Sequence, residues 1–143
     1  MIGVLVADCI PLLLHHPGKG VVAAVHVGWR GAANGIIARA VESMQSHFHC
    51  AADEILAAVG PGIGAHRFEV DRPVREAFRS CSGFCDLIAK EGKLGHLQVD
   101  LALICHLQLE AVGIKSGNID KVDDCTCCHQ ELFFSHRRDS GQT

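Results

Sequence analysis

No stretch of the sequence is long and apolar enough to cross a membrane, since a spanning helix needs about 18 consecutive apolar residues. Met1 to Ala7 contain no basic residue and lead directly to Asp8, so we do not expect them to form a signal peptide. The formal net charge is −3 and the charges are scattered, which argues against a nucleic-acid or membrane partner. Without a secretion signal, the eight cysteines are expected to be thiols or metal ligands rather than disulfides. We therefore expect a cytoplasmic protein.

Several catalytic signatures are also missing. The glycines at 60, 62 and 64 lack the strand-to-helix spacing of a dinucleotide-binding loop and indicate a turn. The zinc signature of the usual nucleoside deaminases, H-x-E with P-C-x-x-C, does not occur. The sequence contains no repeats, low-complexity tracts or linkers, and 143 residues favour one domain.

The apolar patterning predicts strands and helices without strict alternation, which favours an α+β (mixed α/β) fold with layered sheet and helices. Strands are expected over 3–7, 11–14, 21–27, 54–59, 119–122 and 132–136, and an irregular or partly helical stretch over 81–95. The Gly- and Pro-rich turn from His16 to Gly20 is expected to join the second and third strands as a hairpin. Helices are expected over 33–45, 71–79 and 101–112, the last two capped by Asp71 and Asp100. The apolar stripe of the third helix is expected at Leu103, Leu107 and Ala111.

Cys9 and His26 are the sharpest candidate site residues. Each stands at the end of a predicted strand, so neighbouring strands would bring both to one rim. A thiolate and an imidazole suit a zinc ion, and also suit a nucleophile with its base. The alternative is that Cys9 is a packed thiol and His26 a rim histidine without a function. Asp8, beside Cys9, is an acid–base candidate or a turn residue.

Arginines supply a candidate anion site. Arg30 stands at a predicted helix start, while Arg137 and Arg138 follow a predicted strand. Guanidinium groups pair in two-pronged fashion with phosphate or carboxylate. The alternative roles are a structural salt bridge or stacking on Trp29.

The stretch from Asp124 to His129 is rich in metal-binding residues, including Cys125, Cys127 and Cys128. A structural zinc site normally combines two separated Cys/His hooks. The candidate second hook is Cys81 with Cys85, so packed thiols are the favoured interpretation of the cysteine-rich turn.

Four ordered motifs together resemble the bacterial YfiH type, also called the laccase-domain or polyphenol-oxidase-like family. They are Ala7 to Pro11, His26 to Gly31, Gly60 to Gly64 with Phe68 to Val70, and Asp124 to Thr126 with Phe133 to Asp139. The resemblance implies a purine nucleoside phosphorylase, with adenosine deaminase and methylthioadenosine phosphorylase activity, that takes a purine nucleoside and phosphate.

The resemblance also implies one zinc held by a cysteine and two histidines. Cys9 and His26 match two of these ligands, while the third belongs to a Gln-x-His-Gly motif located upstream in the family. We therefore expect residues 1–143 to form a single YfiH-like domain truncated at both ends. Such a chain should bind zinc weakly and have impaired activity, unless His136, His129 or a second chain completes the site. Surfaces exposed by truncation would favour a homo-oligomer.

The roles of the other candidates are inferred from their chemistry. Asp8 would act in acid–base catalysis, and Arg30, Arg137 or Arg138 would hold phosphate. The alternatives are a metal-free Cys–His hydrolase or amidase, a copper polyphenol oxidase and an inactive binding module. Copper fits less well than zinc because Met1 and Met44 are the only candidates for an axial thioether ligand, and only His47 and His49 form a His-x-His pair.

Overall fold

The hairpin predicted around His16 to Gly20 organises the fold. Strand β1 (Ile10–His16) pairs antiparallel with β2 (Val21–Val27), from Ile10 opposite Val27 to His16 opposite Val21. In the turn, the backbone N–H of Lys19 donates to Nδ1 of His16 at 3.2 Å. Gly20 adopts φ 63°, a left-handed conformation that glycine tolerates without strain. This hairpin confirms the prediction from the sequence.

The computed structural model describes residues 1–79, 89–91 and 97–140. Its other strands are β3 (Leu56–Val59), β4 (Glu69–Val70), β5 (Ala89–Glu91), β6 (Leu97–Val99) and β7 (Ile119–Lys121). The helices are α1 (Trp29–Ala33), α2 (Ile36–Phe48), α3 (Arg72–Arg79) and α4 (Leu101–Ala111). No helix in the described part of the chain is long and apolar enough to cross a membrane.

The strands form two sheets. The larger has the order β2-β1-β3-β7, in which β1 is antiparallel to β2 and β3, and β3 is parallel to β7. The smaller sheet has the antiparallel order β4-β6-β5. Alternate residues of β1 are buried, including Leu12 and Leu14, and helix α2 packs over β2. The opposite face of the large sheet exposes Leu13, Val22 and Leu56. This mixed architecture confirms the predicted α+β class.

Two predicted strands are wrong. Residues 3–7 form no strand, because β2 and β3 already occupy both sides of β1 and the run has no partner among the described residues. Residues 132–136 also form no strand, and Phe134 is 76% exposed. There the guanidinium of Arg138 binds the carbonyl of Phe133 at 3.0 Å, so a side chain and not a neighbouring strand pairs with this carbonyl.

The helices agree better with the patterning, with two corrections. The chain turns at Gly35, where φ is 73°, so the helix predicted over 33–45 is α2, which begins at Ile36 and continues to Phe48. The short helix α1 lies before this turn and is separate from α2. Asp100 caps α4 by accepting from the N–H of Leu103 at 2.9 Å, as predicted. However, α4 buries Leu101, Ile104, Cys105 and Leu109 and not the predicted stripe. This helix is apolar nearly all round, so periodicity could not select its buried face.

The region between α3 and α4 was only partly predictable. Strands β5 and β6 were not expected, since each contains three residues. The rest of the predicted irregular stretch, including Cys81 and Cys85, lies outside the described residues.

Candidate active site

A pocket of about 520 Å³ opens where β1 begins and β2 ends. Its position follows from the hairpin register: Cys9 immediately precedes β1, and His26 lies on β2 opposite Pro11. The chain then passes Gly28 and enters α1 at Trp29. The pocket is lined by Ala7, Asp8, Cys9, His26, Gly28, Trp29, Arg30, Ile63, Phe68, Leu101, His136 and Arg137. Pockets of this size are typical of small-molecule sites.

Cys9 and His26 share this pocket, as the sequence predicts. A Cβ atom on Gly28 would lie 3.0 Å from the Sγ of Cys9, so glycine leaves room for the thiol. Burial, and secondly the charge of Asp8, raise the pKa of the Cys9 thiol. Among the described residues, no hydrogen bond joins Cys9 to His26. The free thiol therefore lacks the lowered pKa that activates a cysteine nucleophile.

His136 provides a third nitrogen or sulfur donor in the same pocket, whereas His129 does not. The ring of His129 lies beside Glu131 at 3.4 Å and Asp124 at 3.8 Å. One thiol and two imidazoles form a donor set that suits zinc. In the described structure, the ligand atoms of Cys9, His26 and His136 do not all lie within 4.8 Å of one another.

Asp8 is buried and holds two separate segments together. Its Oδ1 accepts from the hydroxyl of Thr126 at 2.7 Å, and its Oδ2 accepts from the backbone N–H of Arg137 at 2.6 Å. Asp8 adopts φ 82°, in the left-handed region that aspartate and asparagine enter more readily than most residues. Both carboxylate oxygens thus join the start of β1 to the C-terminal part of the chain.

The three predicted arginines have different environments. The guanidinium carbon of Arg30 lies 4.3 Å from the centre of the Trp29 ring, and that of Arg137 lies 5.6 Å from the centre of the Phe68 ring. Arg137 also donates to the carbonyls of Arg67 and Glu69, at 3.4 and 3.1 Å. Neither Arg30 nor Arg137 takes part in an ion pair within the described ranges.

Arg138, in contrast, does not line the pocket. Its guanidinium forms a two-pronged pair with Asp139, at 2.8 and 2.9 Å. It also donates to the carbonyls of Thr126 and Phe133, at 3.0 Å each. Arg138 therefore braces the C-terminal turns, while Arg30 and Arg137 face the pocket.

Several residues that line the pocket, including Phe68, Ile63 and Leu101, were not predicted as site residues. Phe68 belongs to the quoted Phe-Glu-Val motif, but nothing in its local sequence indicated that an arginine would stack on it. A second pocket, of about 300 Å³, shares Trp29, Phe68 and Arg137 with the first. The two pockets therefore meet at these three residues.

The cysteine-rich turn lies outside both pockets. Cys128 is exposed and lies against His66 and Arg67, at 3.3 and 3.4 Å. Hydrogen bonds from His66 and then Arg67 lower the pKa of the Cys128 thiol to about 7.

Comparison with known proteins adds to this geometry. The family model described as multi-copper polyphenol oxidoreductase laccase matches residues 1–143. The purine nucleoside phosphorylase YlmD of Geobacillus stearothermophilus is 38% identical, over 96% of this chain and 50% of its own. The adenosine deaminase RL5, from an unknown prokaryotic organism, is 37% identical, over 100% of this chain and 56% of its own.

The fold is also similar to that of a solved structure. The crystal structure of the Bacillus licheniformis hypothetical protein YfiH matches with a TM-score of 0.92 and 34% identity, over 96% of this chain and 52% of that one. The chain thus spans about half the length of these relatives. Because the family model matches the whole sequence, the chain belongs to the multi-copper polyphenol oxidoreductase laccase family.

Proposed function

We propose that this chain contributes the catalytic pocket of a zinc-dependent purine nucleoside phosphorylase. The reaction would convert adenosine, inosine, guanosine or methylthioadenosine and phosphate into the free base and the pentose 1-phosphate. The observation that carries the proposal is a pocket in which Cys9, His26 and His136 lie beside two arginines that have no carboxylate partner within the described part of the chain. The names of relatives such as YlmD agree with it.

Zinc would be held by Cys9 and His26, with His136 as the candidate third ligand. When bound, such an ion supplies Lewis-acid chemistry and can activate water. Copper is the weaker candidate, because the axial thioether of a type-1 copper site has no source here. Met44 is buried in the core, Met1 is fully exposed, and neither lines the pocket.

Arg30 and Arg137 would bind phosphate. Stacking on Trp29 and Phe68 limits the orientations of both guanidiniums, and the two carbonyls that bind Arg137 fix it further. An arginine held in this way loses little additional side-chain entropy when an anion binds. No described carboxylate pairs with either guanidinium, so neither positive charge is already engaged by an anionic side chain there.

The chain would accelerate phosphorolysis mainly by positioning and electrostatics. A phosphate oxygen bonds to the anomeric carbon while the bond from that carbon to the purine nitrogen breaks, and the purine leaves with the electron pair and takes up a proton. Positive charge develops on the sugar, so phosphate held beside it stabilises the transition state. Asp8 would serve by positioning, because its hydrogen bonds orient the backbone at Arg137 and next to Cys9.

The experiment compares phosphate-dependent release of hypoxanthine from inosine by the unaltered chain and three variants. Arg137→Ala should raise the KM for phosphate about 10- to 100-fold, the value of one or two charge-assisted hydrogen bonds. Cys9→Ser should lower both zinc content and kcat. Arg39→Ala is the matched control, because Arg39 is an exposed arginine on α2 outside the pocket. Equal KM values for phosphate in Arg137→Ala and Arg39→Ala would refute the phosphate site.

Zinc content tests the metal part separately. Atomic absorption on these proteins and on His26→Ala should show a zinc content per chain that falls by about one equivalent in Cys9→Ser and in His26→Ala, the share that the pocket would hold. If His136 is the third ligand, His136→Ala should lower zinc content as well. His129→Ala is the matched control, since His129 lies outside the pocket.

Adenosine deamination is a second candidate activity, supported by the similarity to the adenosine deaminase RL5. It is measured as ammonia released from adenosine without phosphate. A metal-free Cys–His hydrolase is disfavoured because burial raises the pKa of the Cys9 thiol. Chelator-resistant hydrolysis of amide substrates that stops on thiol alkylation would restore that alternative.

The prediction of self-association is supported by the exposed apolar residues Leu13, Val22 and Leu56 on one sheet face. Light scattering after size-exclusion chromatography would measure the oligomeric state. Leu13→Glu should dissociate an assembly that uses this face, and a monomeric unaltered chain would contradict the prediction.

A further inference from the structure

Three metal-binding side chains lie together outside the pocket. The ligand atoms of His66, Cys125 and Cys128 are all within 4.8 Å of one another. The Nε2 of His66 is 3.3 Å from the Sγ of Cys128. Cys125 is buried, whereas His66 and Cys128 are exposed, so the cluster is open to solvent on one side. It shares no residue with the pocket of Cys9 and His26.

The backbone builds this cluster from two distant turns. Residues 125–128 form a tight turn, in which the N–H of Cys128 donates to the carbonyl of Cys125 at 3.1 Å. Gly62 pairs with Cys125 as an isolated parallel bridge, and the N–H of Thr126 donates to the carbonyl of Gly62 at 3.0 Å. This pairing places the turn beside the 3₁₀ helix Ala65–Arg67, which carries His66.

Gly64 fits closely against the cluster. Its N–H donates to the Sγ of Cys125 at 3.2 Å. A Cβ atom at this position would lie 2.8 Å from the His66 ring and 3.3 Å from the Sγ of Cys125. Any larger residue would therefore push the imidazole and the buried thiol apart, so glycine here preserves the convergence of the donors.

We propose that His66, Cys125 and Cys128 form a second metal site that binds Zn²⁺. Two cysteines spaced C-x-x-C make one hook and the histidine makes the second, which is the arrangement that structural zinc sites use. Two thiolates balance the charge of Zn²⁺, and the solvent-exposed side leaves room for a fourth ligand. Arg67 donates from Nε to the Sγ of Cys128 at 3.4 Å, as a partner outside the ligand set.

The second site would stabilise the part of the pocket wall that Asp8 forms. Thr126 lies between the two cysteine ligands, and its hydroxyl donates to Asp8, the neighbour of Cys9. A metal ion that links the turn at 125–128 to His66 would therefore fix Thr126 and, through it, the carboxylate of Asp8. We assign the second site a structural role.

The test uses the full chain carrying Cys9→Ser and His26→Ala, which removes two of the three proposed ligands of the pocket. Equilibrium dialysis against Zn²⁺ under reducing conditions, followed by elemental analysis, should give one zinc per chain. Adding His66→Ala or Cys128→Ser should weaken binding by more than about 100-fold, since loss of an outer partner alone costs about 10- to 100-fold. Both substituted residues are exposed, so the variants should fold.

His129→Ala is the matched control, because His129 is a partly exposed histidine adjacent to Cys128 that lies outside the cluster. This variant should bind zinc as the background chain does. Co²⁺ loading gives an independent readout: the background chain should show a thiolate-to-metal charge-transfer band of two-thiolate intensity. The proposal is overturned if the background chain binds no zinc, if His66→Ala and Cys128→Ser bind as tightly as His129→Ala, or if Co²⁺ gives no thiolate band.

Discussion

Substitutions of Asp8 should separate a positioning role from proton transfer. In Asp8→Ala, the N–H of Arg137 and the hydroxyl of Thr126 lose their acceptor. Each unsatisfied group costs about 1–3 kcal/mol, and the left-handed backbone at φ 82° costs alanine about 1–2 kcal/mol more. We therefore expect Asp8→Ala to lower the free energy of unfolding by at least about 3 kcal/mol.

Asp8→Asn should be much milder. Its carbonyl oxygen can accept from Arg137, and its amide can donate to the Thr126 hydroxyl, which is able to accept. Asparagine also tolerates the left-handed conformation. What is lost is charge assistance, worth about 1 kcal/mol, so Asp8→Asn should retain most of the stability. Thr126→Val, which leaves one oxygen of Asp8 without its donor, should cost about 1–3 kcal/mol.

Urea unfolding measures these differences as shifts in the midpoint at constant m. Inosine phosphorolysis by the same proteins tests the chemistry. If Asp8 positions the site, Asp8→Asn should keep kcat within about tenfold of the unaltered chain, whereas loss of an acid–base group costs about 10²–10⁴-fold. The positioning argument is refuted if Asp8→Ala loses less than about 0.5 kcal/mol, or if kcat of the stable Asp8→Asn protein falls by the larger factor.

Three further predictions concern packing and pH. Ile104→Ala should lower the free energy of unfolding in urea by about 2–5 kcal/mol, because Ile104 is 1% exposed. Leu103→Ala should lower it by less, because Leu103 is half-buried, and the reverse order would contradict the assigned buried face of α4. Gly60→Ala should cost about 1–3 kcal/mol because its Cβ would lie 2.7 Å from the ring of Pro11, while Gly117→Ala, with open space around it, should stay within about 0.5 kcal/mol. Arg138 hydrogen bonds lower the pKa of Asp139 below its ordinary 3.8, so this pair stabilises the fold above pH 3.8 and loses that effect as the pH falls through the folded pKa. Asp139→Asn should therefore lower the urea midpoint at neutral pH and change it less in acid, and an equal loss at both pH values would contradict this.

The elements that could be predicted are those whose ends are marked by turn or capping residues in the local sequence. The β1–β2 hairpin follows from two apolar runs joined by a Pro-Gly turn, and α4 begins where Asp100 can cap it. The prediction that Cys9 and His26 lie at one rim was correct, but its reason was partly wrong: Cys9 precedes β1 and does not end a strand over 3–7, while His26 lies near the end of β2. The buried face of α4 could not be predicted, because nearly every residue from Leu101 to Leu109 is apolar.

Non-local contacts explain why His66 in the second metal cluster and the structure of residues 132–136 were not predicted. His66 lies 62 positions from Cys128, and the two meet only because Gly62 bridges to Cys125. The sequence therefore suggested Cys81 and Cys85 as the second hook and missed the histidine. The run 132–136 has strand-like composition, but Arg138 binds its backbone from a position five residues beyond Phe133. Composition does not reveal that a side chain, and not a strand, will pair with that carbonyl.

The carboxylate of Asp8 connects the features that matter for function. It is adjacent to Cys9 in the chain, accepts from the backbone of Arg137 and accepts from Thr126 within the cysteine-rich turn. The proposed metal ligand, the proposed phosphate ligand and the proposed second zinc site are therefore connected through one buried group. A displacement of the turn at 125–128 would alter the hydrogen bonding of Asp8 and, with it, the backbone that presents both Cys9 and Arg137 to the pocket. For this reason a structural metal remote from the substrate would still affect turnover, through the geometry of the pocket and not through the chemical step.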